Sequence, residues 1–334
     1  MHTRAAPKII TAYSFAAKPR EPLVGPDGKP RVLRGQIERD SELWRWRNEV
    51  LQGGDAGEDA VVVVRSADER AVVMAVADGV GGWAEQGIEP AKYSNALLYY
   101  LTRGINSAAT VPTPRELLEY AFYHTQDDAG VEVGSSTACV VRLDSAQGVL
   151  ASANLGDSGY ILLRPDAEGR LQTVYLSPAQ QYTFNCPYQL SKVPPEYKDS
   201  ITNYPRDADL KEHELRAGDM VFVATDGFFD NVHCKLPPPE AMTPDAPKRP
   251  ELLQLLDMLQ DKHAEHWKDT GDPMDRHRDF VRVVCSTLLQ YARLCQTAQE
   301  KVSPFQIEAA RNRLFYPGGK VDDVALCCAL VVDA

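Results

Sequence analysis

Met74-Ala-Val-Ala-Asp-Gly-Val-Gly-Gly-Trp83 is the stretch on which the fold turns. An apolar run ends directly on an acid, Asp78, and three glycines follow within four positions: Gly79, Gly81 and Gly82. A strand fixes the backbone of the residue at its tip. Glycine beyond it lets the chain turn sharply and lets a carbonyl or a ligand come close. A lone Asp-Gly is the commonest hairpin turn. Three glycines behind a buried strand cost more chain entropy than an ordinary turn requires.

The same device recurs along the chain. Gly57-Glu-Asp-Ala60 opens the run Val61–Val64, and Gly156-Asp-Ser158 follows the run 149–155. Val221-Phe-Val-Ala-Thr-Asp226 ends on Gly227, and Gly318-Gly-Lys-Val-Asp-Asp323 opens the run Val324–Val332. Each has a plain reading by itself: a turn at Asp226-Gly227, a cap at Gly156-Asp157, a solvated strand start at Asp322-Asp323. As a set, they gather carboxylates at one edge of a layered fold. Like charges a few ångströms apart raise one another's pKa, so such a cluster stays ionised only with cations beside it. Hard oxygen donors select Mg²⁺ or Mn²⁺ over zinc.

Around these motifs the pattern is mixed. Residues 9–16 read as a strand and 19–40, with Pro, Gly and charge, as a loop. Val61–Val64 and Ala71–Ala77 form a hairpin across 66–70, and a second hairpin joins 137–143 to 149–155. Further strands fall at 160–163, 171–176, 219–225 and 324–332. Helical patterns occupy 89–104, 114–128, 250–268, 278–299 and 304–314, with a Pro-rich irregular stretch at 235–250. Hairpins first, helices between and a returning last strand indicate one α/β sandwich with helices covering its sheets. The whole chain, 1–334, is expected to form this single domain, with a helical elaboration around 235–316.

Composition narrows the partners. Asp plus Glu number 47 against 36 Lys plus Arg, a formal charge of −11 over 334 residues. That disfavours nucleic acid, whose backbone rewards basic footprints. No apolar run approaches the roughly 20 residues of a membrane span. Seven cysteines without a Cys-x-x-Cys pair, several in apolar runs, suit buried thiols in a reducing compartment. No Cys-x5-Arg loop and no P-loop is present. Arg4, Lys8, Lys18 and Arg20 all precede the first acid, Glu21. That basic end suits the remnant of a mitochondrial presequence, although Ile9–Phe15 also reads as a strand.

The ordered set Glu-Asp-Ala, Asp-Gly-x-Gly-Gly, Gly-Ser-Ser-Thr-Ala, Gly-Asp-Ser, Ala-Thr-Asp-Gly and Asp-Asp covers residues 9–334. It resembles the metal-dependent type 2C (PPM-type) serine/threonine protein phosphatases. Trp83 and Phe184-Asn-Cys-Pro-Tyr-Gln-Leu190 are similar to a mitochondrial branch related to the yeast type 2C phosphatase seven. The resemblance implies an α-β-β-α sandwich, two antiparallel sheets flanked by helices, with a binuclear Mn²⁺ or Mg²⁺ centre. Asp78 would bridge both ions and the Gly79 carbonyl would bind one, while Asp226 and Asp322 would complete the other shell. Asp78, Asp226 and Asp322 would thus carry catalysis. Glu58 and Asp59 would act mainly through bound water, and Asp157 would join Asp226 at a weaker third ion. Asp323 stands where the family often has Asn and ranks behind Asp322. The reaction implied is in-line attack of a metal-activated water on phosphoserine or phosphothreonine, without a phosphoenzyme. Implied partners are phosphoprotein substrates, with no nucleic acid and no stable membrane insertion. The chain would act as a monomer in the mitochondrial matrix or otherwise the cytoplasm.

Two positions depart from that family. Val80 replaces a His proposed to protonate the leaving alkoxide, and Gly54 replaces a phosphate-binding Arg. Lys18 or Arg20 is a candidate substitute for the latter, against a plain surface role. The departures motivate an alternative, a catalytically weak phosphoprotein-binding pseudophosphatase. A two-metal hydrolase of nucleotides is a third reading, which the acidic charge disfavours. His263 and His266 have zinc-like helical spacing but read as a solvated face, and His124 reads as a packing or hydrogen-bonding residue. Ser135-Ser136 lack a nucleophile elbow and read as a strand supporting the site. Tyr182–Leu190 would line a substrate cleft or pack as a loop.

Overall fold

The computed structural model describes residues 7–19, 32–66, 69–197, 199–236, 248–267 and 272–333. Arg4, Arg20 and most of the 235–250 stretch lie outside them. One antiparallel sheet runs β1 (Lys8–Ala16), β14 (Val324–Val332), β13 (Met220–Ala224), β7 (Gly159–Pro165) and β8 (Leu171–Leu176). The other runs β12 (Asp209–Glu214), β6 (Val149–Leu155), β5 (Ala138–Asp144), β3 (Ala71–Asp78) and β2 (Asp59–Arg65). Short pairs join β4 (Gly134–Ser136) to β11 (Leu190–Lys192), and β9 (Gln181–Thr183) to β10 (Cys186–Pro187).

The strands are apolar on both faces because both faces are covered. Val61, Val72, Met74, Val76, Cys139 and Val141 point inward and meet Ile9, Tyr160, Leu162, Val221, Val223, Cys327 and Ala329 of the other sheet. The alternate residues Ala60, Val62, Val73, Ala75 and Val140 point outward against α3 (Ala91–Ser107) and α4 (Pro114–Asp127). On the other side Ile161, Phe222, Leu326 and Cys328 pack against α6 (Glu251–His266) and α7 (Pro273–Thr297). The period of two along each strand divides its side chains between a central core and an outer one. The result is the four-layer sandwich expected.

Local signals set the helix ends. Thr113 and Glu116 form a capping box with Pro114 in the first turn of α4. Asp272 caps α7 through the Met274 N–H, so this helix starts at Pro273 rather than at the expected 278. Besides several elements of two to four residues, one helix and one longer strand were not expected. Helix α1 (Glu42–Leu51), capped by Ser41, buries only Leu43 and Leu51. Strand β12, Asp-Leu-Lys-Glu-His-Glu, is a polar edge strand. Among the described residues no helix is long and apolar enough to cross a membrane.

Candidate active site

The ladder registers bring the acids together. β2 and β3 pair Asp59 directly with Asp78, so their side chains leave the same face as cross-strand neighbours. In the facing sheet β13 pairs Ala224 with Leu326, which sets Asp226 and Asp322–Asp323 at one end. Asp226 opens the short helix α5 (Asp226–Phe229) immediately after β13. Close approach, rather than turning, explains two of the glycines. A β-carbon on Gly227 would lie 1.9 Å from the Asp323 carbonyl oxygen, and one on Gly79 would lie 2.7 Å from that of Pro90.

Each acid is held by a specific partner. The Thr225 hydroxyl donates to Asp59 Oδ2 at 2.8 Å and accepts the Ala325 N–H, tying β14 to the site. The Thr137 hydroxyl accepts the Asp78 N–H at 3.1 Å. Asp157, on the turn from β6 to β7, accepts from Gln181 Nε2 at 3.0 Å. Asp323 is buried, and its two oxygens accept the backbone N–H groups of Lys18 (2.7 Å) and Glu58 (2.9 Å). Asp322 Oδ1 faces Lys18 Nζ at 3.0 Å and its Oδ2 faces Lys320 Nζ at 3.1 Å.

Burial and mutual repulsion perturb the cluster. Burial, then the charge of Asp323, pushes Asp59 well above the usual carboxylate range. Burial with the charges of Asp226, Asp59 and Asp322 does the same to Asp78. Asp157, buried beside Asp226, is pushed up to about 7. Asp226 goes the other way: its burial opposes ionisation, but its ion pair with Lys320 more than offsets this. Two buried oxygens, Asp59 Oδ1 and Asp226 Oδ1, have no hydrogen-bond partner among the described residues. Among the described residues no group of three or more acid, His or Cys side chains is placed so as to hold a metal ion as it stands. Two ammonium groups stand inside the cluster instead.

One of these lysines corrects an expectation and the other was missed. Lys18 is not a surface lysine: its Nζ lies 3.0 Å from Glu58 Oε2 and Asp322 Oδ1 and 3.6 Å from Asp323 Oδ2. Its charge is therefore matched by carboxylates. Lys320 sits 2.5 Å from Asp226 Oδ2 and 2.9 Å from Asp230 Oδ2. It stands on the Asp157–Asp226 flank, where the resemblance implies a third ion. Asp230, four residues after Asp226 and one turn on, also escaped notice, although that spacing was a readable signal.

The remaining candidates lie elsewhere. His263 is partly buried against Phe280, with ring centroids 5.0 Å apart, rather than on a solvated face; His266 is exposed. His124 stacks on Tyr120 at 3.9 Å. Ser135 accepts the indole N–H of buried Trp83 at 2.7 Å, and so supports the glycine turn from β4. A side chain at Gly54 would press on the Phe15 ring, with its β-carbon 2.8 Å away, which excludes an arginine there without rearrangement.

A scan against protein-family profiles finds no match. Individual relatives are clear. The protein phosphatase PTC7 homologue of Danio rerio is 32% identical over 293 residues, covering 86% of each chain. The human PTC7 homologue is 32% identical over 286 residues, covering 84% of this chain and 82% of its own. The chain belongs to the type 2C protein phosphatase family. A 5-azacytidine resistance protein of Schizosaccharomyces pombe is also similar, 34% identical over 84% of both chains. The solved photosystem II phosphatase PBCP shares the fold of this phosphatase at a TM-score of 0.64 and 23% identity, covering 98% of this chain and 100% of its own. This phosphatase hydrolyses phosphoserine and phosphothreonine in phosphoproteins.

Proposed function

We propose that this reaction runs on two divalent cations, Mn²⁺ or Mg²⁺, held by the acidic cluster. The observation that carries the reading is the pair of buried oxygens without partners, Asp59 Oδ1 and Asp226 Oδ1, beside the Asp78 carboxyl. Buried carboxylate oxygens left bare are costly, and hard cations or the waters bound to them satisfy them. Asp78 would bridge both ions, with the Gly79 carbonyl and the bare Oδ1 of Asp226 as further ligands, and Asp322 would join through the Oδ1 that faces Lys18, in exchange for that lysine. Glu58 and Asp59 would act through water. Asp323 is secondary, because its oxygens already take backbone N–H groups. Bound cations of this kind neutralise phosphoryl charge and supply hydroxide near neutral pH.

The chain's own groups do the positioning. Thr225 orients Asp59, Thr137 fixes the backbone of Asp78, and Gln181 holds Asp157. A phosphoryl group cannot approach this many carboxylates without added positive charge, and Lys18 and Lys320 are already paired. Val80 offers no proton to a leaving alkoxide, so another group supplies it.

The test is Asp78→Asn, followed by calorimetric Mn²⁺ titration and phosphopeptide turnover. We expect weakened Mn²⁺ binding and turnover reduced at least about 100-fold, with cooperative melting retained. Near-normal turnover would show that Asp78 does not bridge the ions. Action as a monomer and a mitochondrial location belong to the same proposal. Sedimentation of the pure protein and fractionation of cells expressing the full chain test them.

A further inference from the structure

Lys320 is not placed like a surface lysine. Its backbone N–H donates to Asn231 Oδ1 and its carbonyl accepts from Asn231 Nδ2, both at 2.9 Å, and Asn231 is fully buried. The loop is pinned on either side as well. Gln296 Nε2 donates to the Asp322 carbonyl at 2.9 Å, and the Ser303 hydroxyl donates to the Gly318 carbonyl at 2.6 Å. The Phe305 ring lies over the ammonium, with its centroid 5.1 Å from Nζ. Three carboxylates, Asp226, Asp230 and Asp322, surround that ammonium at 2.5, 2.9 and 3.1 Å. The side chain is thus delivered to the cluster by a fixed loop.

We propose that Lys320 is a tethered cation that fills the Asp226–Asp230 flank of the cluster. Divalent ions then enter only on the Asp59–Asp78 side. The inference rests on the metal-binding reading of the cluster above. Its physical basis is competition for the same oxygens. Mg²⁺ needs oxygens at about 2.0–2.1 Å, and an ammonium already bonded to those oxygens repels an incoming ion. A tethered group also competes at an effective concentration in the millimolar range or above, which excludes a weakly bound ion. Asp226 divides accordingly: Oδ2 faces Lys320 while Oδ1 is left for the other side. Lys320 is a positioning and specificity residue in this account, since it meets carboxylates and not substrate.

The experiment counts ions. Mn²⁺ bound per chain is measured by equilibrium dialysis with electron paramagnetic resonance for the wild type, Lys320→Gln and Lys320→Arg. We expect Lys320→Gln to bind one more Mn²⁺ than the wild type, and Lys320→Arg to match the wild type. Equal numbers in the wild type and Lys320→Gln overturn the proposal while leaving the metal site intact. No Mn²⁺ binding to the wild type overturns the metal reading itself. A second measurement needs no variant. Acylation of lysines in the wild type, mapped by mass spectrometry, should leave Lys320 unlabelled with and without saturating Mn²⁺. Labelling that rises when Mn²⁺ is added would show that metal displaces Lys320, and would overturn the proposal.

Discussion

Asp322 and Asp323 are chain neighbours with different work. Asp323 accepts two backbone N–H groups, from Lys18 and Glu58, and so joins the end of β1 to the β2 entry. Asp322 faces the two ammonium groups. Sequence patterning could find the pair but not divide the labour, because the division depends on N–H groups 265 and 305 residues away. Asp323→Asn keeps the shape but leaves one acceptor oxygen where two N–H groups need one each. We expect a loss of about 1–3 kcal/mol in urea unfolding. Unchanged stability would show that one of those two bonds carries no weight. Lys320 was illegible for the same reason: it looks solvent-bound in Gly-Gly-Lys-Val-Asp-Asp until Asn231 and Asp230 are placed beside it.

At the scale of elements, legibility followed burial. β2, β3, β13 and β14 read clearly because both faces are apolar and their tips carry the acids. β12 was silent because an edge strand on the surface can be polar throughout. Helix α1 was readable, since Leu43, Trp46 and Val50 recur at helical spacing and pack on the outer core, but its short stripe lies among Trp, Arg and Glu residues. The start of α6 gives a pH prediction. Glu251 accepts from Lys301 Nζ, the Tyr291 hydroxyl and the His233 N–H. Burial alone would raise its pKa, but these partners more than offset that and hold the carboxyl below its ordinary value. The folded state therefore favours the ionised form. Its contribution is complete above the ordinary glutamate range, about 4.3, and is lost as pH falls through the lowered folded value. In urea unfolding the gap between the wild type and Glu251→Gln should be widest near neutrality and narrow in acid. A gap that stays constant down to about pH 3 would show that the ion pair adds nothing.

At the scale of the molecule, two sheets bury one face each against the other and deliver their acids to a common end. Helices seal both outer faces, so the strands that aim Asp59, Asp78 and Asp226 are held from both sides. The architecture was readable from alternating hairpins and a returning last strand. The inward reach of Lys320 was not, because it depends on which long side chains the fold turns toward the cluster. Among the described residues the fold gathers buried carboxyl groups that Lys18 and Lys320 match only in part. That imbalance makes catalysis depend on divalent cations. The direct measurement is hydrolysis of a phosphoserine peptide by the purified chain, first with EDTA and then with Mn²⁺ or Mg²⁺ restored. Background rates are expected under chelation, with recovery on adding either ion. Full activity that survives chelation would contradict that dependence.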